Sequence, residues 1–398
     1  MTDRPASTVR ANLRKLYAIQ ALTQAMFAIP IIYLFWAEHG LTLQQVFLLQ
    51  SGFAFTILAL EIPTGYVADR WGRKKTLILA GCFDVLGYLV YASGGGFRQF
   101  LLAEMVIGLG VSLRSGSIEA ITYDTLLELG EEKRYRRVAG NQNFLEFNAE
   151  AASSLVGGAI AMFSLALPLW LTTIPAAAAL LIACTLREPA RRLTRVTGPW
   201  RMIWEVSRHT LLRHRGLRSV ILLHGLIFTM ALTFFWFFQP YQTLVGFPVA
   251  LFGVSHAVIV AAGACASWYS SRLEKQVDDR LLLMAIALAI VGGYFLLSLP
   301  PALWLLPAFL LSRIAWGFLG PLTADMVNRM TTSDVRATVL SLRSFLPRLV
   351  FVCTSSFVGL LADARSIPLA MLTAGCVGGL ALVLAFVSLR SVWREIPA

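Results

Sequence analysis

Ionisable side chains lie inside several long apolar stretches of this 398-residue sequence. In the first half the acidic ones are Glu61, Asp84, Glu104, Glu119, Glu146 and Glu150, and the basic one is Arg114. In the second half the basic ones are Arg313, Arg343, Arg348, His224 and His256, and Asp325 lies near one end. A charge in apolar surroundings is costly unless it is paired or used, so each of these residues is a functional candidate. They could form ion pairs, carry protons or contact a zwitterionic or amphiphilic ligand.

Helical spacing ranks these charges. Glu146 and Glu150 are one helical turn apart and are predicted to be the ion-pair partners of Arg114. A buried carboxyl without a permanent basic partner can bind and release a proton, and Glu150, the deepest, is the first candidate for that role. A structural role for Glu150 stays open, and Asp84 and Glu104 are predicted to be peripheral and structural.

The elements that position these charges are predicted to be membrane helices. Hydrophobic residues make up 57% of the sequence, charged residues make up 14%, and the mean hydropathy is +0.69. Ordinary soluble domains have about 45–50% hydrophobic residues and about 25% charged residues. Apolar stretches long enough to cross a bilayer lie near 14–37, 43–69, 75–96, 99–127, 137–163, 166–187, 217–239, 249–271, 281–299, 301–328, 337–362 and 367–389. Some connections are short, so the predicted all-α membrane protein has eleven to thirteen spans.

The basic residues decide the predicted orientation. With both termini in the cytoplasm, 28 of the 34 Lys and Arg lie on the cytoplasmic side, only Arg98 and Arg365 lie outside, and four lie within spans. Because cytoplasmic loops are enriched in Lys and Arg, we predict a multi-pass protein of the cell membrane, the inner membrane in a Gram-negative source. The same distribution accounts for the net charge of +12 without a nucleic-acid partner.

The chain divides into two similar halves. The predicted domains are an N-terminal six-helix bundle over 1–187, a cytoplasmic linker over 188–216 and a C-terminal six-helix bundle over 217–398. An apolar stripe in the linker fits either an amphipathic helix or a solvated segment; it consists of Trp200, Ile203, Trp204 and Leu211. A shift of 201 positions aligns 116–161 with 317–362 at nine identities, which equates spans four and five with spans ten and eleven. Parallel halves of this kind are a transporter architecture.

The loop between the second and third spans carries a motif. Its specified positions are Gly65, Asp69, Arg70, Gly72, Arg73 and Lys74. The segment resembles the loop signature G-x-x-x-D-R-x-G-R-[KR] of the major facilitator superfamily, in the corresponding loop and on the predicted cytoplasmic side. With two halves of six spans, the resemblance covers essentially the whole chain. The equivalent loop of the second half, 270–280, is degenerate, so an asymmetric gate is expected.

The resemblance implies a major facilitator fold, with two pseudo-symmetric six-helix bundles around a central cavity. It implies that Asp69 meets the N-terminus of span eleven, where the helix dipole favours an anion. Gly65, one turn away, is expected to allow close helix approach. Because spans two and eleven face each other in this fold, Glu61 is expected to pair with Arg343 or Arg348. Candidates for the substrate cavity are Tyr33, Trp36, His224, Phe235 and Trp236.

The predicted function is secondary transport of a small organic molecule by alternating access. Proton coupling and export of a drug, metabolite or siderophore-like compound are expected, although 153–158 matches the span-five motif of drug antiporters poorly. Import of a nutrient or chelate, and lipid flipping through a lateral opening between spans five and eight or two and eleven, stay open. The five histidines show no metal-ligand spacing and no nucleophile–base set is evident. We therefore predict no enzyme activity, metal or cofactor, and a monomer energised by the proton gradient.

Overall fold

The computed structural model describes residues 6–189, 208–210, 212–273, 277–331 and 335–390. Its helices are α1 (Ala6–Gln24), α2 (Ile32–Glu38), α3 (Leu43–Trp71), α4 (Arg73–Ala92), α5 (Phe97–Glu128), α6 (Tyr135–Ala161), α7 (Leu167–Thr185), α8 (Arg215–Trp236), α9 (Phe238–Leu244), α10 (Phe252–Leu273), α11 (Asp279–Leu297), α12 (Leu310–Arg329), α13 (Arg336–Ala364) and α14 (Ile367–Arg390). Short 3₁₀ segments cover Ile29–Ile31, Glu132–Arg134, Val249–Leu251 and Leu303–Phe309. These residues contain no strand, as the sequence predicts. The predicted linker stripe, Trp200, Ile203, Trp204 and Leu211, lies outside the described residues.

Most of these helices are long and apolar enough to cross a membrane. Eleven segments of the described chain meet both conditions. The remaining predicted span, α6, has 27 residues, or about 40 Å at 1.5 Å per residue, but it carries Arg137, Glu146 and Glu150. It packs against α1 and the 3₁₀ turn Ile29–Ile31 like its neighbours. Its polarity, and not its length, therefore separates α6 from the other spans.

The first span is interrupted near its proline. The sequence predicts one helix over 14–37, but α1 ends at Gln24, α2 begins at Ile32, and Pro30 lies in the turn between them. Proline lacks a backbone N–H and opposes the preceding helical turn sterically, so the chain unwinds there. The seventh predicted span is likewise divided into α8 and α9. Continuous helices accommodate Pro63, Pro321 and Pro347.

The chain folds into two compact units. Unit 1 contains the described residues of Met1–Leu41, Gly52–Thr194 and Pro248–Val260, and unit 2 contains those of Thr42–Ser51, Arg195–Phe247 and Ala261–Ala398. Each unit thus includes one short segment from the other half of the sequence. The division predicted at 187 and 217 stays a prediction.

Unit 1 has a core shared by α1, α4, α5 and α7. Its fully or nearly buried members are Leu16, Ile19, Leu77, Ile118, Ile121, Ala179, Ala183 and Leu186. Glycines bring α4 and α5 close together, because a Cβ on Gly87 would lie 2.4 Å from Cγ1 of Ile107. Small residues at such positions are the usual means of close helix packing in membranes.

Unit 2 has an aromatic core between α8, α11 and the 3₁₀ segment Leu303–Phe309. The ring of Phe234 lies 5.0 Å from that of Tyr294 and 4.9 Å from that of Phe309, between centroids. The Tyr294 hydroxyl donates to the Met230 carbonyl at 2.8 Å, so its polar end is satisfied in the core. This packing fixes α8, which carries His224, against its neighbours.

Candidate functional site

A junction in unit 1 joins α6, from the first half of the sequence, to α10, from the second half. A Cβ on Gly158 would lie 2.6 Å from Cα of Gly253, and a Cβ on Gly253 would lie 2.3 Å from the Ser154 carbonyl oxygen. The two backbones are therefore in direct contact, which only glycine permits at these two positions. In sequence, Gly158 lies at the end of α6 remote from the basic residues at 134–137. Gly253 likewise lies at the end of α10 remote from the basic residues at 272–280.

The same junction contains an ionisable pair. Nε2 of His256 lies 3.2 Å from Oε1 of Glu150. The imidazole is fully buried, and the Glu150 side chain is 13% exposed. A carboxyl and an imidazole at this distance can share one proton, either as an ion pair or as a neutral hydrogen bond. Glu150 was predicted as the proton carrier from its depth, but its partner His256 was not predicted.

Unit 2 contains the corresponding junction between α3 and α13. A Cβ on Gly359 would lie 2.9 Å from both Cα of Gln44 and the Leu43 carbonyl oxygen. The Asp363 carboxylate accepts hydrogen bonds from the backbone N–H groups of Leu43 at 3.0 Å and Gln44 at 2.8 Å. It thereby caps the N-terminus of α3, where the helix dipole favours an anion.

The two junctions are related by the internal repeat. The offset of 201 residues relates Gly158 to Gly359 and Ser154 to Ser355, and the Ser355 hydroxyl hydrogen-bonds that of Ser51 at 2.9 Å.

In the internal repeat, an ionisable pair in one junction corresponds to an aromatic pair in the other. The offset of 201 relates Glu150 to Phe351, and the offset that relates Gln44 to Gly253 relates Phe47 to His256. The rings of Phe47 and Phe351 lie 6.4 Å apart between centroids. One junction therefore contains titratable groups where the other contains phenyl rings.

The remaining first-half charges are partnered differently from prediction. Arg114 forms an ion pair with Asp84 of α4, and not with Glu146 or Glu150. Gly110 makes room for this pair, because a Cβ there would lie 2.4 Å from Oδ1 of Asp84. Sequence spacing pointed to α6, but the close packing of α4 on α5 places Asp84 nearer.

Asp84 and Glu104 are also not peripheral. Both side chains are buried, with 4% and 7% of the surface exposed. The Glu104 carboxylate accepts a hydrogen bond from the Tyr91 hydroxyl at 2.7 Å. A structural role for both residues is consistent with the prediction, but their buried positions contradict the predicted peripheral location.

Three further acids of the predicted set lie in unit 1, and Glu146 is close enough to Glu119 and Glu150 for electrostatic repulsion. The Glu146 carboxylate accepts a hydrogen bond from the Gln20 amide of α1. Glu119 is exposed and Glu61 is half-buried. The predicted pairing of Glu61 with Arg343 or Arg348 stays a prediction.

The signature motif is organised around the start of α4. Gly72 has a φ of 118°, a conformation that favours glycine. The Glu188 carboxylate accepts hydrogen bonds from the backbone N–H groups of Arg73 at 2.9 Å and Lys74 at 2.7 Å, and Arg73 forms an ion pair with Asp124 of α5. Glu188 and Asp124 are site residues that the sequence did not predict, although Asp124 belongs to the internal repeat.

Two other motif positions differ from expectation or stay open. No described heavy atom lies within 4 Å of a Cβ built on Gly65, and the close helix approach expected there stays a prediction. Arg70 is exposed. The Asp69 side chain lies outside the described side chains, and its gating role stays a prediction.

The second half has a counterpart of this arrangement with the charges exchanged. Asp279, at the start of α11, forms an ion pair with Arg329 at the end of α12. Arg329 also pairs with Asp325 at 2.9 Å. In the first half, the basic residue is at the start of the third span and the acidic residue is on the fourth. In the second half, the acidic residue is at the start of the ninth span and the basic residue is on the tenth. The second-half loop is therefore degenerate in sequence but still supports an ion pair.

A loop outside the spans carries a further ion-pair cluster. Glu131 accepts a hydrogen bond from Arg10 at 2.7 Å and another from Arg134. Partial desolvation raises the pKa of the Glu131 carboxyl, but the two arginines outweigh it, so this pKa lies below its ordinary value. The cluster ties α1 to the loop after α5.

Unit 2 brings Arg343 of α13, Thr323 of α12 and His224 of α8 together. Nη1 of Arg343 donates to the Thr323 hydroxyl at 2.8 Å and to the Gly320 carbonyl at 2.7 Å. Nδ1 of His224 lies 2.9 Å from the same hydroxyl. His224 is buried, whereas Arg343 is half-buried.

The other basic and aromatic candidates are distributed along the spans. The Arg313 guanidinium lies over the rings of Phe235 and Trp316, 4.6 Å and 4.9 Å from their centroids, which is a cation–π arrangement. Arg348 donates to the Ser344 carbonyl of its own helix.

The predicted cavity aromatics are partly core residues. Trp36 has no exposed surface and packs 6.4 Å from the Tyr91 ring between centroids, so it belongs to the core of unit 1 in this structure. Phe235 is buried, and Tyr33 and Trp236 are half-buried. Among the described residues no group of three His, Cys, Asp or Glu side chains is placed to hold a metal ion.

Known proteins resemble this chain in sequence and in fold. The family model described as Major Facilitator Superfamily matches residues 16–352. A probable sulfoacetate transporter of Cupriavidus necator is 32% identical over 73 residues, which cover 18% of this chain and only 17% of that transporter.

Solved structures of transporters share the fold. The nucleoside transporter NupG has a TM-score of 0.81 at 12% identity, over 96% of this chain and 99% of that one. A bacterial homologue of the human lysosomal transporter Spinster, in an inward-facing and unoccupied conformation, has a TM-score of 0.77 at 16% identity over 100% of both chains. A D-xylose–proton symporter has a TM-score of 0.71 at 16% identity over 96% of both chains.

Proposed function

Because the chain belongs to the Major Facilitator Superfamily, we propose that it is a secondary transporter that moves a small organic molecule by alternating access and couples this movement to protons. The observation that supports coupling is the contact between Glu150 and His256, which joins helices from the two halves of the sequence. Alternating access requires helices from the two halves to separate at one end and close at the other. A titratable pair across such a junction changes its environment during that movement.

The pair provides a physical link between proton binding and conformation. In the closed junction one shared proton satisfies the contact between carboxyl and imidazole. When α6 and α10 separate, water reaches both groups, and each of them can exchange protons with that compartment. A pair whose proton affinity differs between two conformations shifts the balance between them as pH changes.

The proposal also specifies the direction of transport and the side of the membrane on which the glycine junctions lie. With both termini and the basic loops in the cytoplasm, as the distribution of Lys and Arg predicts, the two glycine junctions are on the extracellular side. Export in exchange for protons is the proposed direction, as the resemblance implies, and proton-linked import is the alternative.

Lipid flipping would need a lateral opening between α6 and α10 or between α3 and α13. The junction glycines Gly158, Gly253 and Gly359 hold these helices in backbone contact at one end. This packing favours a small soluble substrate over a lipid in the present conformation.

Transport by reconstituted protein tests the coupling. Proteoliposomes are assayed with radiolabelled sulfoacetate, a nucleoside and D-xylose, the compounds that the relatives' names suggest. For the transported compound, Glu150→Gln is expected to abolish flux driven by a pH gradient and to keep exchange at equal pH, because exchange needs no net proton movement. His256→Gln is expected to do the same, and Glu132→Gln, an exposed loop variant, serves as the control. Unchanged pH-driven flux in Glu150→Gln would remove this pair from the mechanism, and loss of both activities would indicate a structural role.

A further inference from the structure

Among the described residues of unit 2, the Arg343 guanidinium has no acidic partner. Its hydrogen bonds go to the Gly320 carbonyl and the Thr323 hydroxyl, both neutral, through Nη1. Within unit 2, no carboxylate of the described residues forms an ion pair with it, and Nε has no hydrogen-bond partner there. An arginine inside a membrane span therefore keeps its full charge and unused donors.

The other described acids of unit 2 are already engaged. The Asp278 carboxylate caps the start of α11 at the Arg280 N–H, and Asp363 caps α3. Asp279 and Asp325 pair with Arg329. None of these carboxylates is available to neutralise Arg343 within its own unit.

The internal repeat shows that this charge is not needed for packing. The offset of 201 relates Arg343 to Gln142 and Thr323 to Thr122. In unit 1 the Gln142 amide donates to the Thr122 hydroxyl at 3.2 Å, and that hydroxyl donates to the carbonyl one turn earlier at 2.8 Å.

In unit 2 the Thr323 hydroxyl donates to the Leu319 carbonyl at 2.7 Å in the same way. A neutral amide thus makes the interhelical hydrogen bond in one half, and a guanidinium makes it in the other. The positive charge at Arg343 is an addition to a structural contact that glutamine also provides.

Two neighbours complete a site for an anion. Because the single Thr323 proton goes to the Leu319 carbonyl, Nδ1 of His224 is assigned as the donor to that hydroxyl. A Cβ built on Gly320 would meet no described atom within 4 Å, so there is space beside the guanidinium. Arginine suits this role because its planar fork binds carboxylate, sulfonate or phosphate oxygens with two parallel hydrogen bonds.

We propose that the transported molecule is a small organic anion whose carboxylate or sulfonate group is bound by Arg343, with Thr323 and His224 orienting the guanidinium. This inference rests on the proposed transport function. A charge within a membrane span that lacks a counter-ion is costly, and a substrate anion that supplies the counter-ion is therefore bound selectively over neutral and cationic molecules.

Binding to the purified full-length protein tests the proposal. Thermal stabilisation and equilibrium binding are measured with sulfoacetate and succinate as anions, D-xylose as a neutral compound and choline as a cation. Wild type is expected to bind an anion and neither of the others. Arg343→Gln copies the arrangement of Gln142, so it is expected to keep the fold and to weaken anion binding about tenfold to hundredfold, the contribution of charged hydrogen bonds. Arg365→Gln, an exposed arginine outside the site, is the matched control and should bind as wild type does.

Each of the following outcomes would overturn the anion site. They are wild-type anion affinity in a folded Arg343→Gln protein, binding of only the neutral or cationic compound by wild type, and no binding of either anion. Rescue of Arg343→Gln by Glu61→Gln would also overturn it, because Arg343 would then serve an ion pair. Flux measurements separate this inference from the proposed function. Anion binding without flux refutes transport alone, and flux of a neutral compound that is unaffected in Arg343→Gln refutes the anion site alone.

Discussion

At the scale of single residues, the intramembrane charges fall into groups with different physical roles. Asp84 and Arg114 neutralise each other inside one unit. Glu150 and His256 share the junction whose opening is part of the proposed alternating access. Among the described residues of unit 2, Arg343 has only neutral partners. Permanent neutralisation suits a structural pair, a shared proton suits coupling, and an unneutralised charge suits substrate recognition.

The first prediction concerns the structural pair. Asp84→Asn leaves the half-buried Arg114 guanidinium without its counter-charge, and we expect it to lower the free energy of unfolding by about 3–5 kcal/mol. Adding Arg114→Gln should recover much of this loss because the uncompensated charge is removed. Unfolding of the purified protein in mixed micelles measures both effects.

A surface acid provides the control for this measurement. Glu132→Gln in an exposed loop should change the free energy of unfolding by less than about 0.5 kcal/mol. An Asp84→Asn protein as stable as wild type would show that the pair contributes nothing to the fold.

At the scale of helices, glycine positions decide which pairs approach. Within unit 1, Gly158 and Gly253 bring α6 and α10 into backbone contact, and within unit 2, Gly359 does the same for α13 and α3. The internal repeat relates the two contacts, so the fold uses one packing device twice. The side chains beside it, Glu150 and His256 against Phe351 and Phe47, make the two junctions chemically different.

The second prediction concerns the glycine contact in unit 1. Gly158→Ala places a methyl group 2.6 Å from Cα of Gly253, where no flexible side chain can move aside. Overpacking of this kind costs about 1–3 kcal/mol, and we expect the variant to lower the apparent melting temperature and to expose a cysteine introduced in place of His256 to thiol reagents. Gly140→Ala in the same helix is the matched control, because a Cβ there meets nothing within 4 Å. Equal behaviour of the two variants would contradict a packed junction at Gly158.

The third prediction concerns the cap in unit 2. Asp363→Ala removes both acceptors of the Leu43 and Gln44 N–H groups, and loss of a cap costs about 0.5–2 kcal/mol. We expect lower stability and faster hydrogen exchange at the start of α3. Asp363→Asn keeps one acceptor oxygen and should fall between alanine and wild type. Unchanged exchange at these amides in Asp363→Ala would show that the cap does not hold this helix end.

At the scale of the whole molecule, the sequence predicted the pattern of spans and not the contacts between them. Hydropathy and length identify eleven candidate membrane spans in the described residues, because lipid imposes both, and the more polar α6 is the remaining predicted span. The break near Pro30 was missed because a proline in a span can either be accommodated, as Pro63 is, or interrupt the helix. Local sequence does not decide between these outcomes; the packing around the proline does.

Partners of charges were the harder part of the site to predict. Arg114 pairs with Asp84 because of the close α4–α5 contact at Gly110, which spacing within one helix does not show. The partner of Glu150 was missed for the same reason, since His256 is 106 residues away on α10. The repeat did contain a usable signal: Gly158 and Gly359 are both among its identities and both lie at junctions.

The last prediction concerns orientation of the whole chain. The 28 basic residues on one side and two on the other predict that the loop at 129–134 is cytoplasmic and that the loop at 93–96 is extracellular. In a background without the five native cysteines, a single Ser93→Cys should react with a membrane-impermeant maleimide on intact cells, and a single Glu132→Cys should react only after the cells are opened. Both positions are exposed, so burial does not limit labelling. The reverse pattern would place the glycine junctions on the cytoplasmic side, and the Glu150–His256 pair would then open toward the cytoplasm and respond to its pH. The orientation therefore decides which compartment the pair senses, and the labelling experiment has to precede any interpretation of pH-driven flux.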